Sequence, residues 1–311
     1  MQPMRFGVNF TPHSRIGDPR RMVGMAAFLE ELGFNHISLG EHFLVPSETV
    51  DTLDPCWYDN FALAGAIGAV TRRLRVVFAV VLMPLHHPIQ LAKSVATVDC
   101  LTGGRLTLGV GLGWVKADFD AMGIPFSERA ARTEDYLKAC KALWSGDTHS
   151  YEGRFVSFRD VVFQPQPLQK PHPPIWMGGA ADVSVRRAAR FGDGYQAFGG
   201  PFSRMQELAA QMRVELEKVG RDPDKFDYAF TYDLGEAMSL HLTQAGAKGG
   251  NMILGPEPAR AIDQIAEAQR SGFNHLTIRT FGRDESEIRD RLQHFSEEVM
   301  RPIGAFIPTP A

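Results

Sequence analysis

Leu39-Gly-Glu-His-Phe43 sets an acid and an imidazole side by side, directly after a short apolar run. Imidazole is the side chain best suited to proton transfer near neutral pH. An adjacent Glu41 could fix the orientation of His42 or raise its basicity. The competing reading is that both side chains hydrogen-bond a loop, and position alone does not separate the two. Other histidines are placed differently. His36 and His275 begin apolar runs and read as structural. His86 and His87 directly precede Pro88, where one caps a helix or packs in the loop. Asn9 and His13 follow the first apolar run; Asn9 can bond the edge of a ring system or serve a turn.

Two glycine-rich stretches have the spacing to seat a ligand. Leu108-Gly-Val-Gly-Leu-Gly-Trp114 lacks the spacing of a dinucleotide fingerprint and opens no helix at its last glycine. At a strand end, Gly109 and Gly111 let a flat ring approach the backbone, and Trp114 either walls that cavity or packs in the core. In Trp176-Met-Gly-Gly-Ala-Ala181, a strand end passes through Gly178, Gly179 and Ala180 into a helix. Its first turns carry Asp182, Val183, Arg186 and Arg187. Amides at such a helix start bind phosphate through geometry and the helix dipole; the plainer reading is a tight turn without a ligand. The sequence holds no HxH after the first strand, no HExxH, no GxSxG and no P-loop, which leaves metal- or nucleophile-driven hydrolysis little to stand on.

The elements that must position these residues alternate, short apolar runs with amphipathic helical spacing. Expected strands are Arg5–Phe10, His36–Leu39, Arg75–Val81, Arg105–Val110, Ile175–Met177, Gly194–Ala197, Phe226–Tyr232 and His275–Ile278. Asp18 caps the first helix with Pro19 at its first position, and Met22, Met25, Leu29 and Leu32 form its inner face. Leu63, Ile67 and Val70 stripe the second, while Pro88 opens the third. Ser203 and Gln206 read as a capping box, and Ile288, Leu292, Phe295 and Val299 stripe the last helix. Residues 146–174 change texture: a hairpin around Gly153 and a stiff connector from Gln164-Pro-Gln-Pro to Pro174. Gly33-Phe-Asn-His and Gly272-Phe-Asn-His repeat a helix–glycine–strand joint. About eight strand–helix units predict a (β/α)8 TIM barrel of class α/β, with the insertion between strands 4 and 5. An open doubly wound sheet is the alternative. The expectation is a single barrel domain over 1–311 with an irregular tail over 302–311; residues 233–255 match no readable pattern.

Composition sets the outer limits. The chain has 311 residues, 44% hydrophobic and 22% charged, the balance of an ordinary globular protein. A net charge of −3 argues against a nucleic-acid or anionic-membrane partner. Cys56, Cys100 and Cys140 are scattered, forming neither a disulfide framework nor a zinc site, and suit a reducing cytoplasm. The amino-terminal residues lack a secretory pattern, and the run Val76–Leu85 is too short to span a bilayer.

Taken in order, several motifs resemble the bacterial luciferase-like family of flavin- and F420-dependent oxidoreductases. They are Phe6-Gly-Val-Asn-Phe10, Leu39-Gly-Glu-His-Phe43, Gly103 through Trp114, Arg129 through Trp144, Tyr151-Glu-Gly-Arg-Phe155, Pro173 through Gly179, and Arg186 through Gly194. The resemblance implies a tricyclic cofactor in the barrel mouth. Its ring would lie against Ala79, Val80 and Val81, where F420-using relatives carry a bulge with a non-prolyl cis peptide, and its phosphate at Gly178–Gly179. It also implies that His42 handles a proton near the reactive carbon; Glu41 stands where many relatives have aspartate. The implied function is F420-dependent hydride transfer to or from a small organic substrate. The alternative is an FMNH2-dependent two-component monooxygenase supplied by a separate reductase, and homo-oligomerisation is open. Two further readings are a metal-assisted barrel hydrolase, using His13, Glu41, His42 or His86, and a non-catalytic flavin-binding relative.

Overall fold

In a computed structural model of the chain, residues 3–10, 13–51, 53–197, 200–234, 252–280 and 284–305 are described. Eight parallel strands form the wall: β1 (Arg5–Asn9), β2 (His36–Leu39), β3 (Arg75–Phe78), β4 (Leu106–Gly111), β5 (Ile175–Gly179), β6 (Gly194–Ala197), β7 (Asp227–Leu234) and β8 (His275–Thr280). Each pairs with its sequence neighbours, and β8 also pairs with β1, with Arg5 opposite His275 and Asn9 opposite Arg279. That pairing closes the barrel. The open-sheet alternative is thereby removed.

Helices α1 (Pro19–Glu31), α2 (Asn60–Val70), α3 (Pro88–Leu101), α5 (Arg129–Leu143), α6 (Asp182–Phe191), α7 (Phe202–Lys218), α8 (Pro258–Arg270) and α9 (Glu285–Phe295) surround it, and α4 (Lys116–Ala121) is a short extra turn after β4. Period-two alternation sends Phe6 and Val8 outward into the helix layer, where Phe6 meets Phe295 edge-on at 5.7 Å. Met22, Met25 and Leu29 of α1 are fully buried; each such side chain contributes about 1.5–3 kcal/mol. Asp18, Asp59 and Asp284 accept amide hydrogen bonds at the starts of α1, α2 and α9. Among the described residues, no helix is long and apolar enough to cross a membrane.

The repeated joint has a geometric cause. Gly33 and Gly272 end α1 and α8 at φ +83° and +96°. Asn35 and Asn274 then clamp the neighbouring strand: the Phe6 amide donates to Asn35 Oδ1 at 2.7 Å, and the Tyr228 amide to Asn274 Oδ1 at 2.8 Å. The insertion is a hairpin, His149–Glu152 with Ser157–Val161. Asp135 of α5 anchors it by accepting from the Tyr151 hydroxyl at 2.7 Å and the Phe155 amide at 2.8 Å. Cis bonds precede Pro165 and Pro171 in the connector.

Three local expectations are corrected. α7 begins at Phe202 behind Pro201, without a side-chain cap, and Gln206 instead donates to the Ser271 hydroxyl at 2.9 Å. Val70 ends α2 on the solvent side. β3 stops at Phe78, and Val81–Leu82 resumes the pairing with β4 beyond a kink. The unreadable stretch within 233–255 and the tail beyond 305 fall mostly outside the described residues.

Candidate active site

The two ends of the barrel carry different polar chemistry. At the amino end, the first inward residues of the strands line a cavity of about 360 Å3 with Arg5, His36, Arg75, Trp176, Asp227 and His275 among its walls. These groups largely satisfy one another. Asp227 accepts from the Trp176 indole at 3.1 Å and lies 3.3 Å from His275 Nε2, and His36 Nε2 bonds Thr277 at 3.0 Å. Arg75 donates to the Leu106 carbonyl, Thr107 and Gln169. Burial pushes both imidazoles down, so they stand neutral at pH 7. Burial alone would raise the Asp227 carboxyl, but His275, Trp176 and Arg5 hold it below its ordinary value. This end is a bonded plug, which is the usual role of that face.

The carboxyl end gathers the candidate chemistry. His42 lies in the loop after β2 with 10% of its side chain exposed, flanked edge-on by Trp57 at 4.8 Å and Trp114 at 5.8 Å. Trp114 therefore lines the mouth. The nearest acid to His42 is Asp118 of α4, with Oδ2 3.7 Å from Nδ1. Glu41 points elsewhere. It accepts from the Leu82 amide at 2.7 Å and sits 3.0 Å from His86 Nε2, so it pins the chain just beyond β3 and does not orient His42. His86 packs in the loop between Phe43 and Phe61, as the sequence suggested, yet its bond to Glu41 was not foreseen. His13 is held by the Tyr58 amide at 3.1 Å and stacks on Tyr58; burial drops it to about 4.

The Ala79–Val80 peptide bond is cis, at the position the resemblance assigned to a bulge. Gly109 and Gly111 serve that bulge. A Cβ at Gly109 would strike the Phe78 carbonyl, and one at Gly111 would strike the Val80 side chain. The missing side chains of these two glycines therefore make room for the Phe78–Val80 segment against β4.

Gly179 leads into α6 through Ala180 and Ala181. Ala181, the N-cap, has no side chain able to cap the helix. A Cβ at Gly179 would collide with Ser184. The Tyr195 hydroxyl, raised to about 12 by burial and so a firm donor, bonds the Gly179 carbonyl at 2.6 Å and contacts Ser184 at 3.1 Å. The Asp182 carboxylate, ill placed beside a phosphate, is paired with Arg204 at 2.6 Å. Arg187 is occupied by Glu134 at 3.1 Å on the helix's buried side, and Arg186 is exposed.

A polar ring system fits this end by a second criterion. Ser38 Oγ near the end of β2, Gln196 Oε1 near the end of β6, Thr280 Oγ1 at the end of β8, and both amide atoms of Asn60 are buried without a hydrogen-bond partner. Asn9 closes the neighbouring β1 with 8% exposure and is not one of this unpartnered set. A buried polar group without a partner costs about 1–3 kcal/mol, so such a set is matched to a ligand carrying many donors and acceptors. His13, Glu41, His42 and His86 do not share one centre. Among the described residues, no three His, Cys, Asp or Glu side chains group as metal ligands.

Residues 4–233 match the family model described as luciferase-like monooxygenase. The chain belongs to the luciferase-like monooxygenase family. It is 37% identical over 166 residues to the FMNH2-dependent dimethylsulfone monooxygenase of Pseudomonas putida, covering 52% of this chain and 46% of that protein. The chain thus spans about half the length of the curated relatives that it matches in this way. It is 25% identical to the F420-dependent glucose-6-phosphate dehydrogenase of Microbacterium testaceum, over 96% of this chain and 97% of that one. In structure it is similar to the monooxygenase RslO1 of Streptomyces bottropensis, with a TM-score of 0.79 at 23% identity over 96% of this chain and 99% of the other. The family is one of oxidoreductases and monooxygenases that use F420 or FMN. The sequence placed His42 just past β2 and a glycine–helix turn after β5, and the resemblance placed the cis peptide at Ala79–Val80. Sequence reading missed Trp57, and it missed Asp118 and the Glu41–His86 pair, whose partners lie more than 40 residues apart in sequence.

Proposed function

We propose that this protein is an F420-dependent oxidoreductase that moves a hydride between the deazaflavin and a small organic substrate. The observation that carries the choice is the match to an F420-dependent dehydrogenase along almost the whole of both chains. When bound, F420 supplies the carbon that gives or takes the hydride. In this reading Ala79, Val80 and Val81 form the backing of the ring, braced by Gly109 and Gly111 behind them. Asn9, with Ser38 beside it in the strand register, meets the polar ring edge. Gly178, Gly179, Ala180 and the first turn of α6 seat the phosphate. His42 gives or takes the proton at the reacting oxygen of the substrate, through Nε2, because Nδ1 is buried against Asp118. Trp57 and Trp114 exclude water from that ring. Glu41 holds the Leu82 amide and thereby the backing strand.

The second reading is an FMNH2-dependent monooxygenase fed by a separate reductase, favoured by the higher identity to the dimethylsulfone enzyme over half the chain. The same residues would hold FMN, and His42 would serve the oxygen chemistry. Titration of the purified protein with F420 and, anaerobically, with reduced FMN separates the two. Saturation by F420 with Kd below about 1 μM, and no comparable affinity for FMNH2, is expected. Tight binding of FMNH2 alone would transfer the assignment to the monooxygenase reading.

A further inference from the structure

We propose that Asp118 is the positioning residue for His42, accepting a hydrogen bond from Nδ1–H and so leaving Nε2 free to face the reacting molecules. This rests on the reading of His42 as the proton carrier and adds the group that sets its tautomer. His42 Nδ1 and Asp118 Oδ2 are both buried, both without another partner, and 3.7 Å apart. A shift of roughly 0.8–1 Å brings them to the length of a charge-assisted bond. Leaving both unpaired in a site walled by Trp57 and Trp114 is costly, since such groups are strongly penalised where water is excluded.

The second oxygen of the same carboxylate explains how the pair is held in register. Asp118 Oδ1 accepts from the Leu44 amide at 2.8 Å, two residues beyond His42. The carboxylate therefore joins α4, which follows β4, to the loop that follows β2, and fixes itself relative to the backbone of the histidine it serves. Asp118 is 1% exposed, a place where a carboxylate is kept only if it has work for both oxygens. The obvious competitor is eliminated by its bonds: Glu41, adjacent in sequence, spends its carboxylate on the Leu82 amide and His86. An acid supplied from another loop thus takes the part that the neighbouring acid seemed placed to play.

The test is the 15N spectrum of the histidine side chains in the purified full-length protein, with His42 assigned by its loss in His42→Gln. In the wild type the account expects a protonated, pyrrole-type Nδ1 and a pyridine-type Nε2 at pH above the ring's titration. Asp118→Asn replaces the acceptor with a donor amide and should invert this pattern, while Asp118→Glu restores it in part. A pyridine-type Nδ1 in the wild type would overturn the proposal even if no variant folded, as would an unchanged tautomer in Asp118→Asn. The spectrum needs no turnover, so it stands apart from the catalytic reading: if His42→Ala leaves turnover intact, His42 is not the proton carrier, whatever its tautomer. With a turned-over substrate, Asp118→Asn should lower kcat roughly 10²-fold, within what general acid–base catalysis supplies, with KM nearly unchanged.

Discussion

The amino end and the carboxyl end of this barrel are built from the same eight strands and treat polar side chains in opposite ways. At the amino end Arg5, His36, Arg75, Trp176, Asp227, His275 and Thr277 bond to one another or to the backbone, and only Nδ1 of His275 among those imidazoles is buried without a partner. At the carboxyl end Ser38, His42, Asn60, Asp118, Gln196 and Thr280 keep buried atoms unpaired. Folding free energy is spent at one end and withheld at the other. A cavity is therefore a poor guide by itself: the amino-end cavity is lined by groups that bond one another, and the carboxyl end has the unmet bonds.

Substitutions at the two ends should separate function from stability. His42→Ala should lower turnover by roughly 10²–10⁴-fold, with cofactor affinity within a few-fold of wild type in a spectroscopic titration. Unchanged turnover would remove the carboxyl end's central residue from the chemistry. Asp227→Ala, at the plug, should cost about 2–3 kcal/mol of unfolding free energy in denaturant melts, the worth of charged hydrogen bonds lost from a buried network. It should leave cofactor affinity alone, and a large loss of affinity would erase the distinction between the ends. Gly109→Ala joins the two effects, because its methyl must displace the Phe78 carbonyl that shapes the bulge. We expect about 1–3 kcal/mol of destabilisation together with weaker cofactor binding, and a neutral result would remove the bulge's packing argument.

The smallest effect is a pH slope. His13 is buried neutral with its pKa lowered by burial from 6.5 to about 4, so below 6.5 the unfolded chain takes up a proton that the folded chain refuses. Stability is then complete above 6.5 and declines as the pH falls towards 4, by about 1 kcal/mol at pH 5.5. His13→Phe, which keeps the stack on Tyr58, should flatten that slope in melts at pH 7.5 and 5.5; an unchanged slope would show that His13 titrates normally.

Much of this was legible in the sequence because it is local. Alternation gave the strands within a few residues, Pro19 and Pro88 marked helix starts, and Gly-Phe-Asn-His marked a joint that turns out to be an asparagine clamp. His42 could be placed at the mouth from its distance past β2. The illegible part depended on which loops meet. Glu41 sits beside His42 in sequence but reaches His86, 45 residues on, whereas Asp118 comes from beyond β4. Neighbouring residues in a loop diverge as readily as they converge, so adjacency was a false signal there. Likewise Ser203 looked like a cap, but Pro201 fixes the chain's entry to α7 two residues earlier.

The measurement that bears most directly on the whole account is amide hydrogen exchange with and without saturating F420. The account predicts added protection at 38–44, 78–82, 109–114 and 178–184, with the strand starts around Arg5, His36, Arg75, Asp227 and His275 unchanged. Protection confined to those strand starts, or none at the carboxyl end under conditions where F420 binds, would contradict it.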